Sequence, residues 1–148
     1  MAQTAVLHKI LNVREQEKKD AQLEQSQAID HFEKVAKKLY YTLKTKEDAE
    51  VGLNRYIKSE STINKIKEQS LYIDMLNKKI TTLQKQVQDA RQEMELKQAK
   101  LTEAHKEVKK IEKMIEKREQ TKQELEKKAE MLEMDELSIR QFMNQSQN

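Results

Sequence analysis

The chain has 148 residues, with no proline, one glycine and no cysteine. An average composition would place roughly ten glycines and seven prolines in that length. Charged residues (37%) match hydrophobic ones (36%), aromatics are 4%, and the net charge is +3 from 29 basic and 26 acidic residues interleaved along the chain. Such a chain has too few turn-formers to build a pocket and too little apolar area for a compact core. Disulfide frameworks and cysteine metal sites are excluded. The mixed charge offers no clean basic stripe for nucleic acid.

In chain order, Met1 to Val13 carries neither a continuous apolar core nor a small-residue cleavage site, so it does not read as a secretion signal. No apolar run of about 18 residues follows that could cross a membrane. From Leu7 a stripe begins at alternating spacings of four and three. It runs through Leu11, Arg14, Lys18, Ala21, Gln25, Ala28, Phe32, Val35, Leu39, Thr42, Lys46, Ala49 and Leu53 to Tyr56. Ten of these fifteen positions are apolar, which predicts a first helix over about 4–57.

Lys58-Ser59-Glu60-Ser61-Thr62 interrupts the stripe. Ser59, Ser61 and Thr62 all suit a helix N-cap, so a turn is predicted at about 58–62. Gly52 lies just before it, off the stripe. It reads either as a tolerated helix glycine or as a place of close approach.

The stripe resumes at Ile66 and runs through Gln69, Ile73, Leu76, Ile80, Leu83, Val87, Ala90, Met94, Lys97, Leu101, Ala104, Val108 and Ile111 to Ile115. All but Gln69 and Lys97 are apolar. This predicts a second helix over about 62–143. A 3.5-residue period held this long is the signature of a left-handed coiled coil. If the two helices fold back, Leu7 faces Ile115, Leu39 faces Leu83 and Tyr56 faces Ile66 in one constant register centred on Ser61. Gln25 and Lys97, both polar, then fall in the same layer. The expected fold is all-α: a long antiparallel two-helix coiled-coil hairpin with an extended second helix, forming one domain over 1–148. A parallel dimer of one continuous helix is the structural alternative. At 1.5 Å per residue the helices would measure about 80 Å and about 120 Å.

Beyond Ile115 the second helix has no intramolecular partner, yet Leu125, Ala129, Leu132, Ile139 and Met143 continue an apolar face. An isolated helix of this kind is marginal in water, so the segment frays or binds another protein. Met75, Met94 and Met114 lie on or beside the stripe and read as core. Met131, Met134 and Met143 read either as exposed or as partner contacts.

Chemistry-bearing constellations are not evident. His8, His31 and His105 form no i,i+4 pair, so no metal site is predicted. One glycine cannot build a phosphate loop. Nothing in an exposed coiled coil would shift a carboxylate into acid–base use. No catalytic residue, cofactor or small-molecule substrate is expected, and the chain reads as a binding protein and not an enzyme.

Three segments carry a family resemblance. Leu7-His8-Lys9-Ile10-Leu11-Asn12-Val13-Arg14-Glu15 resembles the opening of FliJ proteins. Tyr72-Ile73-Asp74-Met75-Leu76-Asn77-Lys78-Lys79-Ile80 resembles their aromatic-x3-Leu stretch after the turn. Glu107 to Met114, followed by Met134-Asp135-Glu136-Leu137-Ser138-Ile139-Arg140-Gln141-Phe142-Met143, is similar to the C-terminal pattern of Bacillus-like Firmicute members. The resemblance implies a component of the flagellar type III export apparatus, stalk-like, cytoplasmic and peripheral to the membrane. It implies three partners: a hexameric export ATPase at the terminal end, the cytoplasmic part of the membrane export gate nearer the turn, and export chaperones. The gate patch of the family reads aromatic-x3-Leu-x2-Ala-x3-His or Gln, with tyrosines on the first helix. Tyr72 and Leu76 match it, whereas Lys79 and Leu83 depart. Leu76 is also a seam position facing Lys46, and both readings stay open; Tyr72 lies off the seam. The ring contact falls on Leu125, Ala129, Leu132, Ile139 and Met143. A stalk protein of non-flagellar type III secretion and a generic coiled-coil tether or holdase are the alternatives.

Overall fold

The structure, a computed structural model, describes residues 2–146, with side chains from Thr4 onward. Its two helices are α1 (Ala2–Lys58) and α2 (Ile63–Ser146), of 57 and 84 residues, packed antiparallel as a hairpin. The turn after Lys58 separates the two helices, so the chain is not one continuous helix. The chain divides into two compact units: Met1–Lys18 with Ala104–Asn148, and Lys19–Glu103.

Lys19–Glu103 holds the turn and most of the seam. Here α1 buries Ala21, Ala28, Val35, Thr42 and Ala49, every seventh residue. Phe32, Leu39 and Leu53 are half-buried between them. Small side chains at one heptad position let the partner helix seat deeply, so Ile73 and Leu76 pack on Ala49 with Leu53 at their side. Ile80, Leu83 and Ala90 continue the buried row on α2. Thr42 is tolerated there because its Oγ1 donates to the Lys38 carbonyl one turn back, at 2.7 Å.

The seam ends one layer earlier than its periodicity suggests. Tyr56 is exposed, while Ile66 is half-buried. The cause is the end of α1. Ser59 N donates to the Arg55 carbonyl (2.9 Å) and Ser61 N reaches back to the Tyr56 carbonyl (3.0 Å). Glu60 between them has φ 57°. A left-handed residue followed by a six-to-one bond is the Schellman way of closing a helix. Thr62 takes the N-cap position of α2, its carbonyl accepting from Ile66 N at 3.3 Å. The two serine hydroxyls instead lie 3.0 Å apart, with Ser59 Oγ against the Tyr56 carbonyl at 3.4 Å.

Gly52 makes room for a side chain. Gln69 Nε2 donates to the Ala49 carbonyl at 3.0 Å, and a Cβ on Gly52 would stand 3.3 Å from that nitrogen. The close approach is made by an α2 side chain, not by backbone.

The polar layer is real but differently partnered. Gln25 donates to Gln98 rather than meeting Lys97. Lys97 carries its ammonium out to Glu24 (3.4 Å) and to Glu93 (3.5 Å). Lys100 closes on the same Glu24 oxygen at 2.8 Å. A long stem can lie along the seam while its charge stays in water.

In the other unit, Leu7, Ile111 and Ile115 form a buried cluster, with Ile10 and Leu11 packed against it, and Val108 is also buried. Arg14 occupies a seam position. Its Nη1 pairs with Glu17 at 3.1 Å, but its Nε is buried without a hydrogen-bond partner. From Glu116 to Ser146 every residue of α2 is exposed.

Candidate partner-binding surfaces

No three His, Cys, Asp or Glu side chains among the described residues lie close enough to hold a metal. Nor is any helix among them long and apolar enough to cross a membrane. What the molecule presents is surface, and the family-suggested residues sort by how they meet it.

Around Tyr72 the helix shows two faces. Leu76 is 4% exposed and locked against Ala49 and Ile73, so it belongs to the seam. Tyr72, at 38%, stands outside. Leu71 and Met75, at 64% and 57%, flank it. Met75 therefore is not core, contrary to the sequence expectation. It sits beside the stripe, and a two-helix hairpin covers only one narrow face. Met114 is likewise exposed, at a groove edge, whereas Met94 is half-buried in the seam.

Sequence reasoning did not place Tyr40 and Tyr41. Both are exposed on α1 with their rings edge-to-face, centroids 5.5 Å apart and planes at 71°. Tyr41 lines a groove of about 600 Å³ with Lys38, Lys79, Thr82, Leu83 and Gln86. The two positions where the sequence departs from the family patch, Lys79 and Leu83, thus adjoin a first-helix tyrosine. The antiparallel register could have revealed this, since it sets Tyr40 opposite Thr82 and Tyr41 opposite Thr81.

The charges beside the polar layer are mutually tuned. The Lys100 ammonium, hydrogen-bonded to Glu24 and supported by Lys97, holds the Glu24 carboxyl below its ordinary range. The same hydrogen bond raises Lys100 above its own.

At the terminal unit the start of α1 and the continuing α2 enclose an open groove of about 1030 Å³. Thr4, Ala5 and His8 form one wall; Met114, Lys117, Lys122, Leu125 and Ala129 form much of the other. Leu125 and Ala129 from the expected ring contact are thereby brought beside α1. Leu132, Ile139 and Met143 lie further along the exposed helix, joined by Met131, Met134, Leu137 and Phe142, apolar side chains that turn other faces to solvent.

The profile of the family described as Flagellar FliJ protein matches residues 3–147, nearly the whole chain. The chain belongs to the flagellar FliJ family. It is 38% identical to the Flagellar FliJ protein of Bacillus subtilis (strain 168) over 145 residues, covering 98% of this chain and 99% of that one. No solved structure matches it. For a FliJ-family chain, the tyrosine face beside Leu76 and the exposed apolar end of α2 are the surfaces of interest.

Proposed function

We propose that this flagellar protein serves the type III export apparatus as a stalk that performs no chemistry of its own. In this reading the segment after Ile115 engages the hexameric export ATPase through Leu125, Ala129, Leu132, Ile139 and Met143. The face around Tyr72, with Leu76 supporting it from the seam, meets the cytoplasmic part of the membrane export gate, and the chain also escorts export chaperones. It acts in the cytoplasm, peripherally at the membrane.

The observation that carries the reading is the fully exposed helix from Glu116 to Ser146 with apolar side chains along it. Burying such a side chain is worth about 1.5–3 kcal/mol. A face of this kind is a helix-in-groove recognition element. Family membership points to the export machinery as the place where the groove is found. A chain ending at Glu116 should fail to stimulate the export ATPase while keeping the seam; stimulation equal to that of the full chain would refute the ring contact. At the other surface, Tyr72→Ala should weaken capture of the gate's cytoplasmic part and leave ATPase stimulation intact.

A further inference from the structure

We propose that two copies of this chain pair in solution through the segment after Ile115, antiparallel, each copy's basic half lying against the acidic half of the other. The segment is divided by charge. Residues 117–128 hold Lys117, Arg118, Lys122, Lys127 and Lys128 against three acids, Glu119, Glu124 and Glu126. Residues 129–146 hold Glu130, Glu133, Asp135 and Glu136 against Arg140 alone. Apolar residues run through both halves: Leu125 in the first, Leu132, Ile139 and Met143 in the second, all exposed.

Side-by-side parallel pairing would set like charge on like. Antiparallel pairing sets the basic half on the acidic half twice, once at each end of a two-fold axis. An isologous interface requires this self-complementarity: the same surface must supply both the patch and its complement. A surface shaped only for an unrelated partner has no need of it.

The groove gives the acidic half a seat. It runs along residues 114–129, lined by Met114, Leu125 and Ala129, with Lys117, Arg118 and Lys122 outnumbering Glu119 and Glu126 and α1 supplying Ala5 and His8 as a second wall. The incoming half brings Leu132, Ile139 and Met143 at seven- and four-residue spacings, on one face of the helix. Residues 118–143 are enough to form the pair. That is about 39 Å of helix. Pairing hides in the free protein the same apolar face assigned above to the ATPase, so the ring would compete with the second copy.

Sedimentation of the full chain alone tests this, independently of any ring contact. The expected result is a concentration-dependent shift from 17.6 kDa to twice that mass, favoured at low salt because exposed charges are screened as salt rises. Lys127→Glu with Lys128→Glu, or Asp135→Lys with Glu136→Lys, should each weaken association about tenfold. All four together restore the complementarity and should restore the dimer. These side chains are exposed, and circular dichroism checks that helicity is kept. A single 17.6 kDa species at every concentration, reversed-charge variants that pair like the parent, or a fourfold variant that stays monomeric would each overturn the proposal.

Discussion

Glu60 is the one described non-glycine residue with positive φ, and replacing it with glycine should stabilise the protein. At φ 57° its Cβ crowds the following carbonyl, costing about 1–2 kcal/mol for an L side chain. The conformation is imposed from both sides. Ser59 N closes the last α-helical bond on the Arg55 carbonyl, and Ser61 N reaches past residue 60 to the Tyr56 carbonyl, a six-to-one bond that exists only if residue 60 is left-handed. Glycine removes the clash but adds freedom to the unfolded chain, a penalty of about 0.4–1 kcal/mol. The net gain for Glu60→Gly is then about 0.5–1 kcal/mol. For a chain of about 150 residues this is about 1–4 °C in melting temperature, read by far-ultraviolet circular dichroism. Glu60→Ala keeps the Cβ and should melt within about 1 °C of the parent; Glu60→Val, which adds a β-branch, should melt lower. If glycine gave no gain over alanine, left-handed strain would not be what Glu60 contributes, and the Schellman account of the turn would fail.

The Glu24 cluster should make stability depend on pH at both extremes. Glu24 is held below its ordinary value, so its contribution is complete above the unfolded value near 4.3 and disappears as pH falls through the folded one. Lys100 is raised, so its contribution is complete below about 10.4 and disappears as pH rises through its folded value. The melting difference between the parent and Glu24→Gln should therefore be flat between about pH 5 and 10, shrink outside that range, and diminish with salt. Arg14→Leu should stabilise by about 1–2 kcal/mol in urea melts. It removes a guanidinium nitrogen buried without a partner and continues the apolar row of Leu7 and Leu11. A destabilised leucine variant would mean that the Glu17 pair matters more than the orphaned nitrogen.

The seam could be read from the sequence because burial there has a period. Of the fifteen α1 stripe positions only Tyr56 is exposed, and of the fifteen on α2 none is. Two helices share a single narrow interface, so a 3.5-residue repeat determines which residues face inward. The same economy explains what could not be read. A residue one step off the stripe, such as Met75, is as apolar as its neighbours but has nothing to cover it. Long polar side chains choose partners by reach and not by register, so Gln25 bonds Gln98 while Lys97 leans to Glu24. The candidate surfaces were legible in unequal measure for the same reason. Leu76 fits both a seam and a patch motif, and only its packing on Ala49 separates Tyr72, which can touch a partner, from Leu76, which supports it. Beyond Ile115 no facing stripe exists to fix which side is inward, and Leu125, Met131, Leu137 and Phe142 spread over several faces. An intramolecular seam would not require that breadth. A surface enclosed from more than one side would, as by the walls of a ring or by the groove and helix of a second copy.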